Sequence, residues 1–158
     1  MLNIGDRAPD FTLADQNGNT VTLDSLLAQG DLILYFYPAD FTPVCTAEAC
    51  AFRDAYDEIT DVGVQIVGIN AQDQAMHQKF ATTYSLPFPL LCDPQKTVIR
   101  AYGVDGMLGF GVRRATFRID QNKQIRNCVV ADLMVESHME LIRAVLEEKQ
   151  LAGDTSSI

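Results

Sequence analysis

Apolar positions along this chain follow two rhythms that take turns. Leu32-Ile33-Leu34-Tyr35-Phe36-Tyr37 is continuously apolar and aromatic, the pattern of a strand covered on both faces. Val64-Gln65-Ile66-Val67-Gly68-Ile69 reads as a second buried strand, and Phe88 to Cys92 as a short third. Elsewhere apolar residues recur at helical spacing. That spacing predicts helices from Pro43 to about Asp61, from Asp73 to Tyr84 and from Glu136 to Gln150, the last with Leu141, Val145 and Leu146 in register. Pro94 to Tyr102 reads as a short helix, and Asp24 is placed to cap another over Ser25 to Ala28. Two hairpins frame the set. Phe11-Thr12-Leu13 and Thr20-Val21-Thr22 flank an Asn-Gly turn signal at Asn17-Gly18, and Ala115 to Asp120 and Gln124 to Ala131 flank Gln121-Asn122-Lys123. The glycine-rich stretch Gly103 to Gly111 is expected to be a mobile loop.

Strands that alternate with helices and then give way to a hairpin and a closing helix predict a central mixed sheet with helices on both faces. The order is that of a thioredoxin-like α/β fold with an added N-terminal β-hairpin. No repeat, low-complexity run or linker divides the chain, so residues 1–151 are expected to form one domain and residues 152–158 a frayed tail.

The 158 residues carry a net charge of −9, spread without acidic or basic runs. That balance argues against nucleic acid and anionic membrane surfaces as partners, because both select basic patches. The first residues, Met1 to Arg7, lack a basic region followed by an apolar stretch, so they do not read as a signal peptide. A cytoplasmic setting with reduced thiols is the expectation. There, four cysteines point to thiol chemistry or burial rather than to a disulfide framework.

Chemistry concentrates where the first buried strand ends, in Pro38-Ala39-Asp40-Phe41-Thr42-Pro43-Val44-Cys45-Thr46-Ala47-Glu48-Ala49-Cys50. Thr42 suits an N-cap and Pro43 the first helical turn, where its missing N–H is no loss. Cys45 then falls in the first turn, among unpaired backbone N–H groups at the positive end of the helix dipole. An anion is favoured there, and the thiolate is the nucleophilic form of cysteine. A buried structural cysteine is the competing reading.

These residues resemble the peroxiredoxin family. The pattern Pro-x-x-x-Thr-x-x-Cys stands here as Pro38, Thr42 and Cys45, and Glu48 and Cys50 resemble the Q-type, or bacterioferritin comigratory protein, branch. Gly5 to Leu13, Leu86 to Leu91 and Arg114 to Asp120 also look like family segments. The resemblance implies a peroxidase that reduces hydrogen peroxide and organic hydroperoxides. Cys45 would be the peroxidatic thiolate, Thr42 would align the peroxide, and Pro38 would shield the site. Arg114 would stabilise the thiolate and the charge on the leaving oxygen, and Glu48 would steady Arg114. From the residues alone, Arg114 ranks no higher than Arg113 or Arg53 and reads as a solvated strand-end charge, and Glu48 reads better as an exposed helical carboxylate. Cys50 would resolve the Cys45 sulfenic acid as an intramolecular disulfide, recycled by thioredoxin or a similar dithiol. A helix-face cysteine packed in the core is the other reading of Cys50.

If both cysteines share one regular helix, five residues advance about 7.5 Å and turn about 140° on a radius of about 2.3 Å. Their Cα atoms then lie roughly 8.7 Å apart, beyond the ~7 Å reach of a disulfide, so bridging requires the first turns to unwind. Cys92 and Cys128 sit in apolar strand contexts and read as structural, with Cys92 also a candidate resolver. Phe80 stands about where some relatives carry a resolving cysteine, and Arg118 stands where an apolar strand residue is expected. His77 and His138 read as surface residues of amphipathic helices. No pair of Cys or His has zinc-ligand spacing and no dinucleotide fingerprint occurs, so no metal and no cofactor are expected. The partners expected are a hydroperoxide and a dithiol reductant, acting on a monomer or a weak dimer. Two rival readings are a thiol–disulfide exchanger, which usually wants Cys-x-x-Cys, and a redox-switched binding protein.

Overall fold

The computed structural model describes residues 2–156, with side chains through residue 153. A hairpin of β1 (Thr12–Ala14) and β2 (Thr20–Thr22) opens the fold, followed by α1 (Leu23–Leu27) and β3 (Leu32–Phe36). Next come α2 (Pro43–Asp54), α3 (Tyr56–Asp61), β4 (Gln65–Asn70), α4 (Gln74–Thr83), β5 (Leu90–Cys92) and α5 (Thr97–Ala101). The second hairpin, β6 (Ala115–Ile119) and β7 (Ile125–Val130), leads into the closing helix α6 (Val135–Ser156).

All seven strands form one sheet in the order β2-β1-β5-β4-β3-β6-β7. The β3, β4 and β5 strands run parallel, while β6 pairs antiparallel with β3 and β1 antiparallel with β5. This is the expected mixed sheet, with the N-terminal hairpin added at one edge.

Every residue of β3 is buried because each of its faces meets a core. Leu32, Leu34 and Phe36 join α1, α5, Phe117 and Ile125 on one side. Ile33, Tyr35 and Tyr37 join Cys45, Phe52, Ile59, Phe80, Leu141 and Val145 on the other. The second face therefore carries α2, α3, α4 and α6, and it is the face on which the chemistry lies. Gly68 of β4 lies beside Tyr35 in register, and a Cβ there would come within 2.8 Å of the Tyr35 ring. Only glycine leaves room for that ring to lie flat across the neighbouring strand.

Several boundaries differ from the sequence reading. Asp24 does not cap α1; Thr22 does, accepting from the Ser25 N–H while the Ser25 hydroxyl accepts from the Thr22 N–H. The helix expected to reach Asp61 breaks at Ala55, which ends α2 and begins α3. No Pro or Gly marks that break. Helix α6 continues past Gln150 to Ser156, into the stretch read as frayed, and residues 157–158 of that stretch lie outside the described residues.

The segment from Gly103 to Gly111, expected as a loose loop, is tied to its neighbours. It holds a single 3-10 turn, Met107–Gly109, and the Lys96 ammonium donates to Asp105 Oδ1, the Gly109 carbonyl and the Gly111 carbonyl.

Arg118 occupies its strand position as a neutralised cation. It is buried, donates twice to Asp31 Oδ2 at 3.2 and 2.9 Å, and pairs with Glu148. Lys149 reaches the same Asp31 carboxylate, so β6 is pinned to the start of β3 and to α6.

Candidate active site

The chain leaves β3 through Tyr37 to Phe41 and enters α2 at Thr42. Phe41 takes a left-handed backbone, φ 67°, a conformation that costs a non-glycine residue about 1–3 kcal/mol and persists only where the surroundings hold it. Here they do. Its ring packs on Phe80 at 5.1 Å and Tyr84 at 6.1 Å, and the preceding Asp40 is fixed on all sides. The Asp40 carboxylate accepts from the Tyr37 hydroxyl at 2.6 Å and from Asn70 at 3.3 Å, and meets His77 Nδ1 at 2.6 Å. Its backbone N–H donates to Gln72 Oε1.

His77 is therefore not a surface residue; it is fully buried. Its Nε2 faces the Leu91 carbonyl, which can only accept, so Nε2 is the donor there.

Thr42 is the N-cap of α2 and Pro43 opens the helix, as expected, but the Thr42 hydroxyl does not cap it. That hydroxyl donates backwards to the Ala39 carbonyl at 2.8 Å. The Thr42 side chain leaves the first-turn N–H groups uncapped in consequence, and Cys45 sits among them. Cys45 is 1% exposed, in one buried stripe with Glu48, Ala49 and Phe52. Cys50 lies outside that stripe and is partly exposed.

Arg114, at the entry of β6, joins these groups. Nη2 donates to Cys45 Sγ at 3.1 Å, Nη1 to Glu48 Oε1 at 2.7 Å, and Nε to the Asp132 carbonyl at 2.9 Å. The Asp132 carboxylate takes the Arg114 backbone N–H and the Arg113 guanidinium. Burial disfavours the Arg114 charge, yet Glu48 and Cys45 outweigh it and hold its pKa up.

Glu48 is fully buried, so the exposed-carboxylate reading of its position is set aside, as is the solvated reading of Arg114, 2% exposed. Burial pushes the Glu48 carboxyl up to about 7 against the opposing pull of Arg114.

His138 is the second correction: it too is fully buried. Its Nδ1 meets the Thr116 hydroxyl at 2.7 Å and its Nε2 the Ala131 carbonyl at 3.0 Å. It faces Glu48 Oε2 at 3.7 Å. Burial, and then Arg114, hold its pKa below the ordinary value, against the raising effect of the Ala131 carbonyl.

Both histidines carried a signal that the sequence reading passed over. His77 shares a face with Phe80 and Ala81, and His138 with Leu141, Ile142 and Val145, all at i+3, i+4 or i+7 and all buried. Asp40 and Asp132 carried no such signal, since their partners come from distant segments.

The remaining thiols stand apart from this cluster. Cys128 is partly buried in the core on the opposite face of the sheet. Cys92, at the end of β5, has its thiol pushed up to about 11, by burial first and then by Asp40, Asp73 and Asp15. It is a poor source of thiolate. Among the described residues no group of three or more His, Cys, Asp or Glu is placed to hold a metal ion, and no helix is long and apolar enough to cross a membrane.

A cleft of about 660 Å³ opens beside the cluster, lined by Pro38, Met107, Phe110, Val112, Arg113 and Asp132 among others. Met107, Leu108, Phe110, Leu133 and Met134 are exposed apolar side chains in the same two segments.

Residues 4–128 match the family described as AhpC/TSA. The chain is 42% identical over 141 residues to the chloroplastic peroxiredoxin Q of Arabidopsis thaliana, an alignment that covers 88% of this chain and 64% of that protein. The crystal structure of the peroxidoxin BcpB of Mycobacterium tuberculosis superposes with a TM-score of 0.87 at 37% identity, covering 94% of this chain and 98% of that one. The bacterioferritin comigratory protein of Xanthomonas campestris, solved in a study of its alkyl peroxide reduction with trapped intermediate and ligand complexes, gives a TM-score of 0.79 at 27% identity. That match covers 87% of this chain and 90% of the other.

Proposed function

We propose that this chain, which belongs to the AhpC/TSA family, is a thiol peroxidase that reduces hydroperoxides through Cys45. One observation carries the reading: a single guanidinium, Arg114, reaches both Cys45 Sγ and the buried Glu48. A fixed cation against a first-turn cysteine favours the thiolate, and the same cation is in place for the charge that grows on the leaving oxygen.

In the proposed reaction the Cys45 thiolate attacks the terminal oxygen of R–O–O–H. The S–O bond forms, the O–O bond breaks, and the alkoxide leaves with the bonding pair and is protonated to the alcohol. Thr42 spends its own hydrogen on Ala39, so its oxygen is left to accept from the peroxide O–H and aim it. The uncapped N–H groups of the first turn of α2 are available to the peroxide oxygens, and Pro38 closes one side of the cleft. The apolar side chains at the rim suit the organic part of an alkyl hydroperoxide, the substrate type named for the Xanthomonas relative.

Cys50 is proposed to resolve the sulfenic acid: its thiol attacks Cys45 Sγ, water leaves, and a disulfide remains for a dithiol such as thioredoxin. Cys92 is disfavoured by its raised pKa and Cys128 by its place across the sheet. In a coupled assay with hydrogen peroxide or an alkyl hydroperoxide and a thioredoxin system, the chain is expected to turn over many times. Cys50→Ser should retain one rapid turnover and lose thioredoxin-supported cycling. Equal cycling in the variant would remove Cys50 from the scheme, and a chain that reduces insulin disulfides but not peroxide would be a thiol–disulfide exchanger.

Because α2 contains both Cys45 and Cys50, the disulfide cannot form without unwinding, given a Cα separation of roughly 8.7 Å on a regular helix. Hydrogen exchange should find residues 42–56 protected when reduced and much less protected when oxidised. Equal protection in both states, with the Cys45–Cys50 disulfide confirmed by mass spectrometry, would contradict the opening.

A further inference from the structure

Two buried polar atoms have no hydrogen-bond partner among the described residues, and they are Tyr35 Oη and Glu48 Oε2. Both side chains belong to the Cys45 face of the molecule. A buried carboxylate oxygen without a donor is costly, and a site that has one invites the question of which protonation state fits.

The groups around Glu48 answer it. Arg114, at the entry of β6, covers Oε1 only. His138, from α6, is the nearest recorded nitrogen to Oε2, at 3.7 Å. Its Nε2 must carry a hydrogen for the Ala131 carbonyl, and burial favours the neutral ring, so Nδ1 is an acceptor that takes the Thr116 hydroxyl. It offers Oε2 no N–H. Tyr35, from β3, keeps its proton, with its pKa raised well above the ordinary value by burial and then by Glu48. Asp132, beyond β7, is engaged by Arg113 and Arg114. An ionised Oε2 thus finds no donor among the described residues. The charge count agrees, since among the described residues Arg114 is the one cation recorded in contact with both Glu48 and the Cys45 sulfur.

We propose that Glu48 holds a proton while Cys45 is a thiolate and gives it up as the peroxide O–O bond breaks, so that Arg114 faces one anion at every stage. This rests on the peroxidase reading and deepens it. Before attack the anion is the Cys45 thiolate and Glu48 is a carboxylic acid. The thiolate bonds to the terminal oxygen with its hydrogen, the alkoxide departs with the O–O pair and takes a proton from solvent, and Glu48 releases its own proton to solvent, so that the net uptake is nil. Afterwards Cys45 is a neutral sulfenic acid and Glu48 is the carboxylate. Glu48 does not touch the peroxide; it acts through Arg114, as a positioning residue that also stores the proton. A carboxyl raised to about 7 remains protonated up to that pH, which fits the scheme.

The test is proton uptake from solvent. In a Cys50→Ser background, which keeps the sulfenic acid, the protein is mixed with one equivalent of hydrogen peroxide in dilute buffer with a pH indicator. Thiolate loss is followed by its ultraviolet absorbance. With Glu48 present, uptake per thiolate consumed should be far below one at pH below about 7 and rise towards one as the pH passes it. Adding Glu48→Gln should give one proton per thiolate at every pH. One proton per thiolate across the range with Glu48 intact overturns the inference, whether or not the Gln variant folds. Infrared difference spectra of the protein with Glu48 should lose a protonated-carboxyl band when the sulfenic acid forms, and a spectrum without that loss overturns it too. A Cys45 that does not react with peroxide removes the peroxidase reading itself, and this inference with it.

Discussion

Cys45→Ser is expected to abolish hydroperoxide turnover while leaving the fold in place. A hydroxyl is too weak an acid to supply an attacking anion near neutral pH, so the step that breaks the O–O bond has no nucleophile. The exchange of sulfur for oxygen is small in volume, and Arg114 retains its contacts to Glu48 and Asp132, so the surrounding cluster should stand. Peroxide consumption with excess reductant is the readout, with circular dichroism as the check on folding. Activity within a few-fold of the parent chain would mean that a different thiol does the chemistry.

Arg114→Ala is expected to slow peroxide attack by about 10²–10³-fold, the usual effect of removing one preorganised donor from a site of developing charge. It loses in one change the donor to Cys45 Sγ, the partner of Glu48 and the tie to Asp132. Less thiolate should be present at neutral pH, and what remains should react more slowly. Removing the partner of a buried ion typically destabilises by about 3–5 kcal/mol, so the rate is read at low temperature on protein confirmed as folded. Arg114→Lys keeps the charge but not the planar fork, and should recover thiolate formation better than it recovers rate. A rate for the alanine variant within a few-fold of the parent, with thiolate absorbance unchanged, would show that Arg114 serves packing and not chemistry.

Much of this architecture could be read from the chain because its signals are local. A run such as Leu32 to Tyr37 can be satisfied only by cover on both faces, and the structure supplies a core on each. Thr42-Pro43 marks a helix start by chain stereochemistry alone, and α2 begins there. What the sequence hid was long-range. Arg118 looked out of place on an apolar strand because its partners, Asp31 and Glu148, lie in two other segments of the chain. His77 and His138 look like surface residues of amphipathic helices, although their spacing puts both on buried faces. Type misleads where the fold supplies fixed partners: a carbonyl and a carboxylate for His77, a carbonyl and a hydroxyl for His138. Thr42 shows the same limit on a smaller scale. The position of its cap was legible, but the direction of its hydroxyl depends on the Ala39 carbonyl, which the turn at Phe41 brings into reach.

The central claim is that a peroxide oxygen is delivered to one sulfur, that of Cys45. The most direct measurement is to mix the reduced protein with one equivalent of hydroperoxide, trap sulfenic acid with a selective reagent within the first turnover, and map the label by mass spectrometry. The expected result is label on Cys45 alone, giving way to a Cys45–Cys50 disulfide when the trap is left out. Label mainly on Cys50, Cys92 or Cys128, or peroxide consumed with Cys45 still a free thiol, would contradict the account.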